Sequence, residues 1–128
     1  MFGECMAIWF LTQASHKKIQ LVELGPGRGT LMADILRTFH QLRPQLLSSV
    51  HLVEASPALK EIQAKTLHTK TASDGSILTR LESIPVHWHA ELDTVPKDIA
   101  TFFIAHEFFG IFFLSLTSLN RCYAHLPI

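Results

Sequence analysis

The sequence IQLVELGPGRGT at residues 19–30 decides the fold, because it changes from a strand pattern to a turn and then to a helix start. Its first six residues form a compact, mostly apolar run of the kind found in buried parallel strands. Glycines at positions 25, 27 and 29 then mark a turn, and Thr30 is a suitable helix N-cap. Apolar residues at helical spacing continue to Phe39, so these residues predict a strand–turn–helix unit.

The same order returns downstream. Residues 50–54 predict a second strand, and Ser56-Pro57 predicts the start of a second helix. Residues 84–89 and 101–105 predict a third and a fourth strand, the fourth strongly apolar. Strands that alternate with helices favour a parallel sheet with right-handed crossovers. We therefore expect the N-terminal half of a doubly wound, Rossmann-like α/β fold, without its second half.

Two further segments frame this unit. Residues 2–13 place Phe2, Met6, Trp9 and Phe10 at helical spacing and predict a short amphipathic helix. Residues 69–75 are polar and end in Asp-Gly, which predicts a loop with a turn.

The composition excludes several classes of protein. Hydrophobic residues make up 48% and charged residues 17%, so the chain is not a disordered tail. Lys plus Arg and Asp plus Glu both number 11, which removes the electrostatic case for a nucleic-acid binder. Two distant cysteines indicate neither a disulfide framework nor a zinc cluster. Residues 1–10 contain Glu4 and no basic residue, so neither a secretory signal nor a transit peptide is expected there.

Residues 99–119 leave an alternative open. They are long enough to span a membrane and carry only His106 and Glu107 as ionisable groups. Two shorter buried elements on either side of a polar site explain the same stretch, and we favour that interpretation because a central Glu costs about 2.5–3.5 kcal/mol in a bilayer. Residues 101–105 would then be an apolar sheet edge, which residues 111–116 are expected to cover by folding back.

The glycine turn carries the sharpest functional signal. A Gly-rich turn between a strand and a helix brings backbone N–H groups close to a ligand. The pattern E-x-G-x-G-x-G at residues 23–29 differs from the dinucleotide fingerprint G-x-G-x-x-G. An acid before the turn repels a pyrophosphate and attracts the ammonium group of an amino acid. Both facts favour S-adenosylmethionine over NAD or FAD, and the alternative is a purely structural turn.

Three more carboxylates follow predicted strands. Glu54 is expected to hold the ribose hydroxyls, and Glu91 is expected to contact the adenine edge. Glu107 follows the fourth strand at the rim of the expected crevice. For each of them a solvated loop carboxylate is the alternative. His87 and His89 share one strand face, but nothing in their spacing completes a metal site, so we predict no metal.

The sequence resembles a known family at three places. Residues 22–31 (VELGPGRGTL), 51–54 (HLVE) and 105–109 (AHEFF) resemble the MidA-like family, and the opening Phe-Gly-Glu also matches a segment before the glycine turn. Members are S-adenosylmethionine-dependent protein arginine methyltransferases of mitochondria that assist assembly of respiratory complex I. The resemblance therefore implies a methyltransferase fold, S-adenosyl-L-methionine as cofactor, a mitochondrial location and a complex I subunit as protein substrate.

The resemblance also implies roles for individual residues. Gly25, Gly27 and Gly29 would cradle the methionine end of the cofactor, with Glu23 near its amino group. Glu54 would hold the ribose. The catalytic role beside the methyl acceptor would fall to Glu107.

The chain departs from the family after residue 109. The family continues with an Asp and then a Leu-Pro pair, whereas Gly110 stands in the Asp position here. We therefore expect a partial methyltransferase domain at residues 1–109 and a divergent apolar tail at 110–128, as in a truncated or alternatively spliced member. A non-catalytic assembly or interaction module, and a small membrane-attached protein, are the alternative functions.

Overall fold

A computed structural model describes residues 2–14, 17–80, 83–107, 110–117 and 120–126, and from residue 106 onward it describes the backbone alone. The helices are α1 (Phe2–Gln13), α2 (Thr30–Leu42) and α3 (Pro57–Thr66). The strands are β1 (Ile19–Leu24), β2 (Leu47–Val53), β3 (Thr69–Thr71), β4 (Ile77–Thr79), β5 (Val86–His89), β6 (Ala100–Glu107), β7 (Gly110–Thr117) and β8 (Asn120–Leu126).

Within the described residues, six strands form one sheet in the order β5-β2-β1-β6-β7-β8. The first four are mutually parallel, and β7 and β8 continue the sheet as antiparallel strands. The prediction of an α/β fold with a parallel sheet is confirmed. The carboxyl ends of β1, β2, β5 and β6 consequently meet at one edge of the sheet, where ligands bind in open α/β folds.

The core lies between the helices and the parallel strands. Phe10 of α1 stacks against Phe102 of β6 with ring centroids 4.5 Å apart, and both are almost fully buried. Met6 and Ala7 extend this contact. Phe2, which the helical spacing placed on the core face, is instead 46% exposed, because it lies at the end of α1 beside a cleft.

Three local predictions were wrong. Residues 69–75 do not form only a loop, since β3 and β4 pair as an antiparallel hairpin around Gly75. The third strand begins at Val86 rather than at residue 84, since Pro85 makes only an isolated bridge to Leu78. Thr30 is not the N-cap of α2 but its first helical residue. The N-cap is Gly29, which has a left-handed backbone conformation and no side chain to form a capping hydrogen bond.

The apolar edge is covered as expected. β7 pairs along β6 from Thr101↔Leu116 to Glu107↔Gly110, which confirms that residues 111–116 fold back over the fourth strand. Within residues 99–119, the structure thus describes strands at Ala100–Glu107 and Gly110–Thr117. No helix among the described residues is long and apolar enough to cross a bilayer.

Candidate cofactor-binding site

The turn between β1 and α2 has room above it at two of its three glycines. Gly25, Gly27 and Gly29 all have positive φ, at 61°, 59° and 84°. A Cβ built on Gly25 or Gly27 would meet nothing within 4 Å, whereas one on Gly29 would lie 3.4 Å from Gln63 of α3. Gly29 thus allows close packing within the protein, and Gly25 and Gly27 leave backbone open to a ligand.

Backbone hydrogen bonds fix the shape of the turn. The Gly25 N–H donates to the Val53 carbonyl at the end of β2 (3.1 Å), and the Gly29 N–H donates to the Pro26 carbonyl (3.0 Å). The Gly29 carbonyl then accepts the first bond of α2 from Ala33. Hydrogen bonds therefore join the turn to β2 and to its own helix.

Glu23, at the end of β1 before the turn, is a buried carboxyl group that lacks a hydrogen-bond partner on one oxygen. It is 1% exposed, and its Oε2 has no hydrogen-bond partner. Burial in this apolar setting raises the pKa of Glu23 from 4.5 to about 8, because the charged form loses its hydration. Buried polar atoms without partners are rare, and those that exist often belong to functional sites.

A cleft of about 300 Å³ adjoins this carboxyl group. Phe2 and Gly3 of α1 form one wall, Asp34 of α2 forms another, and Glu23 lies at its base with Gly25 and Gly27. An orphaned buried carboxyl oxygen beside open glycine backbone fits a ligand that carries an ammonium group, as S-adenosylmethionine does.

Glu54 lies directly after β2, next to the turn. Its Oε1 accepts from the Ser56 backbone N–H (3.0 Å), and its Oε2 lies 3.5 Å from the Nε2 of Gln63. The carboxylate is half-buried and held from both sides. The structure therefore places Glu54 beside the glycine turn, which it reaches through Gln63.

Glu91 and Glu107 lie at the same sheet edge but apart from that group. Glu91 is exposed and follows β5 by two residues, on the far side of β2. Ala105 pairs with Leu24, so Glu107 lies two residues beyond the end of β1, on the β6 side of the turn. The Glu107 side chain is outside the described part of the chain.

Sequence reasoning missed Gln63 of α3. This side chain is fully buried and bonds to the Gly27 carbonyl of the turn. The sequence around it gave no signal, since Gln63 is the only buried residue of α3 and its partners are far away in the chain.

The histidines form a hydrogen-bonded group away from the turn. His51 Nδ1 lies 2.9 Å from His89 Nε2, and His51 Nε2 lies 3.0 Å from Ser49 Oγ. Burial, aided by the charges of His87 and His89, lowers the pKa of His51 to about 4. Within the described residues, no group of three or more His, Cys, Asp or Glu side chains is placed to hold a metal ion.

Comparison with known families agrees with this geometry. The model of a family described as "Putative S-adenosyl-L-methionine-dependent methyltransferase" matches residues 3–113. The chain is 45% identical over 126 residues to the protein arginine methyltransferase NDUFAF7, mitochondrial, of Rattus norvegicus, covering 87% of this chain and 29% of that protein. The Homo sapiens protein of the same name is also 45% identical, with 87% and 28% covered.

A more distant relative is the NDUFAF7 homolog of Drosophila melanogaster, named as a mitochondrial protein arginine methyltransferase. It is 35% identical over 121 residues, with 85% of this chain and 28% of that protein covered. The chain thus spans less than a third of the length of these curated relatives.

The fold is also found among solved structures. A candidate methyl transfer enzyme of Burkholderia thailandensis, bound to S-adenosyl-homocysteine, superposes with a TM-score of 0.57 at 20% identity. The match covers 99% of this chain and 34% of that one.

Proposed function

Because the chain belongs to this family of S-adenosyl-L-methionine-dependent methyltransferases, we propose that it binds S-adenosyl-L-methionine at the turn between β1 and α2. We further propose that it is the cofactor-binding part of a mitochondrial protein arginine methyltransferase, as its curated relatives are named. When bound, the cofactor supplies a methyl group on a positively charged sulfur.

One observation carries the proposal, namely the buried carboxyl group of Glu23 with its unpartnered Oε2 under two open glycines. The α-ammonium group of the cofactor would donate to this oxygen and favour the ionised carboxylate. The methionine end would lie along Gly25 and Gly27, while Gly29 keeps α2 and α3 in contact with the turn.

The two other acids would bind the nucleoside. Glu54 has both carboxylate oxygens at the sheet edge, in a position suited to the ribose hydroxyls. Glu91 is exposed beyond β5, the neighbour of β2, and would contact the adenine edge.

Glu107 would act on the methyl acceptor. An arginine guanidinium stays protonated at neutral pH, since its pKa exceeds about 12, so methyl transfer needs a carboxylate that orients it and stabilises its charge. The backbone register sets Glu107 beyond the end of β1, beside the turn. A protein arginine is the acceptor we expect, and the family resemblance favours a subunit of respiratory complex I.

Binding of S-adenosyl-homocysteine, measured by calorimetry, tests the proposal with a matched pair of variants. Gly27 and Gly75 both have positive φ and open space at the Cβ position. Alanine costs about 1–2 kcal/mol of strain at either one. Only Gly27→Ala puts its methyl group where the cofactor would lie.

We expect the unaltered chain and Gly75→Ala to bind alike, and Gly27→Ala to bind at least tenfold more weakly. Absence of binding by the unaltered chain would overturn the proposal. Equal affinities of the two variants would show that the cofactor does not bind against Gly27.

A further inference from the structure

Gln63 joins three segments of the candidate site through one buried amide. It is 0% exposed on α3. Its Nε2 donates to the Gly27 carbonyl at 2.7 Å, and its Oε1 accepts from the Trp88 indole Nε1–H at 2.8 Å. One side chain thus connects the glycine turn with β5, across the end of β2.

The chemistry of the two partners fixes the orientation of this amide. A backbone carbonyl can only accept a hydrogen bond, and an indole N–H can only donate one. The Nε2 must therefore face Gly27, and the Oε1 must face Trp88. A reversed amide would lose both bonds inside a buried site, where an unsatisfied polar group is costly because it has also given up its hydration.

The second hydrogen of Nε2 is directed to Glu54, whose Oε2 lies 3.5 Å away. The other Glu54 oxygen is already held by the Ser56 N–H. The carboxylate expected at the ribose and the carbonyl of the glycine turn therefore share one donor group. Gly29 lies against α3 at this point, since its Cβ position is within van der Waals distance of Gln63 (3.4 Å).

We infer that Gln63 is a positioning residue, whose amide holds the Gly27 carbonyl and the Glu54 carboxylate in the arrangement that receives the cofactor. The inference rests on the proposed function and extends it to a residue that does not touch the reacting atoms. Preorganisation of this kind raises affinity because the turn and the carboxylate need no ordering on binding.

Gln63→Glu provides a reversible test. A protonated carboxyl group reproduces the two shorter bonds of the amide, since its O–H donates to Gly27 and its C=O accepts from Trp88, and it loses only the 3.5 Å contact with Glu54. An ionised carboxylate has no donor, faces the Gly27 carbonyl and repels Glu54. We therefore express the affinity of the variant for S-adenosyl-homocysteine as a ratio to that of the unaltered chain at the same pH, so that pH effects common to both proteins cancel.

We expect this ratio to be within threefold of one at pH 6.0 and to fall at least tenfold by pH 8.5. Gln20→Glu is the matched control. Gln20 is also 0% exposed and donates through Nε2 to a backbone carbonyl, that of Pro96 at 2.6 Å. It lies near the opposite end of β1 from the turn, so its ratio is expected to stay constant with pH.

A second readout needs no ligand. In Gln63→Glu the Trp88 indole N–H resonance should shift with pH as the new carboxyl ionises, and in Gln20→Glu it should not. Trp88→Phe assigns this resonance and is also the second binding variant, should Gln63→Glu unfold at high pH. It removes the indole donor together with part of the ring, and we expect it to bind at least threefold more weakly at every pH.

Each outcome decides one point. If the unaltered chain binds, and the Gln63→Glu ratio stays constant over a pH range in which the Trp88 resonance shifts, Gln63 is not a positioning residue. If the resonance does not shift in that range, Trp88→Phe decides the point. Unchanged affinity in Trp88→Phe contradicts the inference in the same way. If the unaltered chain does not bind at all, the proposed function is wrong. The indole resonance then still shows whether the side chain at position 63 contacts Trp88.

Discussion

Glu23→Gln should stabilise the ligand-free chain at neutral pH while weakening its binding of the cofactor. The substitution keeps the shape of the side chain and removes its ionisation. In the unfolded chain the carboxyl titrates at its ordinary pKa of 4.5, but in the folded chain burial raises this pKa to about 8. Between these two pH values the unfolded state is ionised and the folded state holds a proton.

The magnitude follows from this difference in pKa. Since the folded state binds the extra proton, its stability falls as pH rises, by about 1.4 kcal/mol per pH unit. At pH 7.5, three units above the ordinary pKa of 4.5, the loss relative to glutamine reaches roughly 4 kcal/mol. A change of this size is a large part of the stability of a small domain, about 5–15 kcal/mol.

Urea unfolding at pH 5, 6, 7 and 7.5 measures the effect. Glu23→Gln should exceed the unaltered chain by less than 1 kcal/mol at pH 5 and by roughly 4 kcal/mol at pH 7.5. The same variant should bind S-adenosyl-homocysteine at least tenfold more weakly at pH 8. Its affinity for 5′-methylthioadenosine, which lacks the amino-acid half, should not change.

Two results would refute this reasoning. Stability curves that run parallel with pH would show that Glu23 ionises normally in the folded chain. Equal losses of affinity for both ligands would show that Glu23 does not meet the ammonium group.

Two further predictions concern other parts of the molecule. His51→Asn should make the stability of the chain less sensitive to acid. The pKa of His51 is about 4 in the folded chain and 6.5 in the unfolded chain, so the stability falls by about 1.4 kcal/mol per unit as pH drops below 6.5. Urea unfolding between pH 4.5 and 6.5 measures this slope, and an unchanged slope in the variant would contradict the prediction. Glu107→Gln should bind S-adenosyl-homocysteine within twofold of the unaltered chain and transfer tritiated methyl groups to an arginine acceptor at least tenfold more slowly. Cofactor binding without methyl transfer by the unaltered chain would favour the non-catalytic interaction module.

The parts of the fold that repeat a strong pattern were predictable. β1 and α2 have a continuous apolar run, a glycine turn and a helical stripe, and these signals are local in the sequence. The β3–β4 hairpin was missed because its strands have three residues each, and the Thr-Lys-Thr of β3 has no apolar alternation. These strands pair across the Asp74-Gly75 turn, and Thr79 is the only buried residue in them.

The candidate site was predictable only as far as residue types reveal it. The acids and glycines at the sheet edge have recognisable spacing, so the sequence alone indicates Glu23 and Glu54 as candidate site residues. Gln63 depends on contacts 36 residues apart in sequence, with Gly27, and 25 apart, with Trp88. No local pattern reports such a contact.

An orphaned polar atom does not by itself mark a ligand site, as the two buried side chains of β1 with such atoms show. Gln20 Oε1 and Glu23 Oε2 both have no partner among the described residues. Gln20 is a neutral amide whose Nε2 is satisfied by Pro96 and Thr101, so its orphaned oxygen carries a modest cost. Glu23 must either bind a proton at neutral pH or leave a charge desolvated. Only Glu23 adjoins a cleft with open glycine backbone, so an arriving cation there would recover free energy that the folded chain alone gives up.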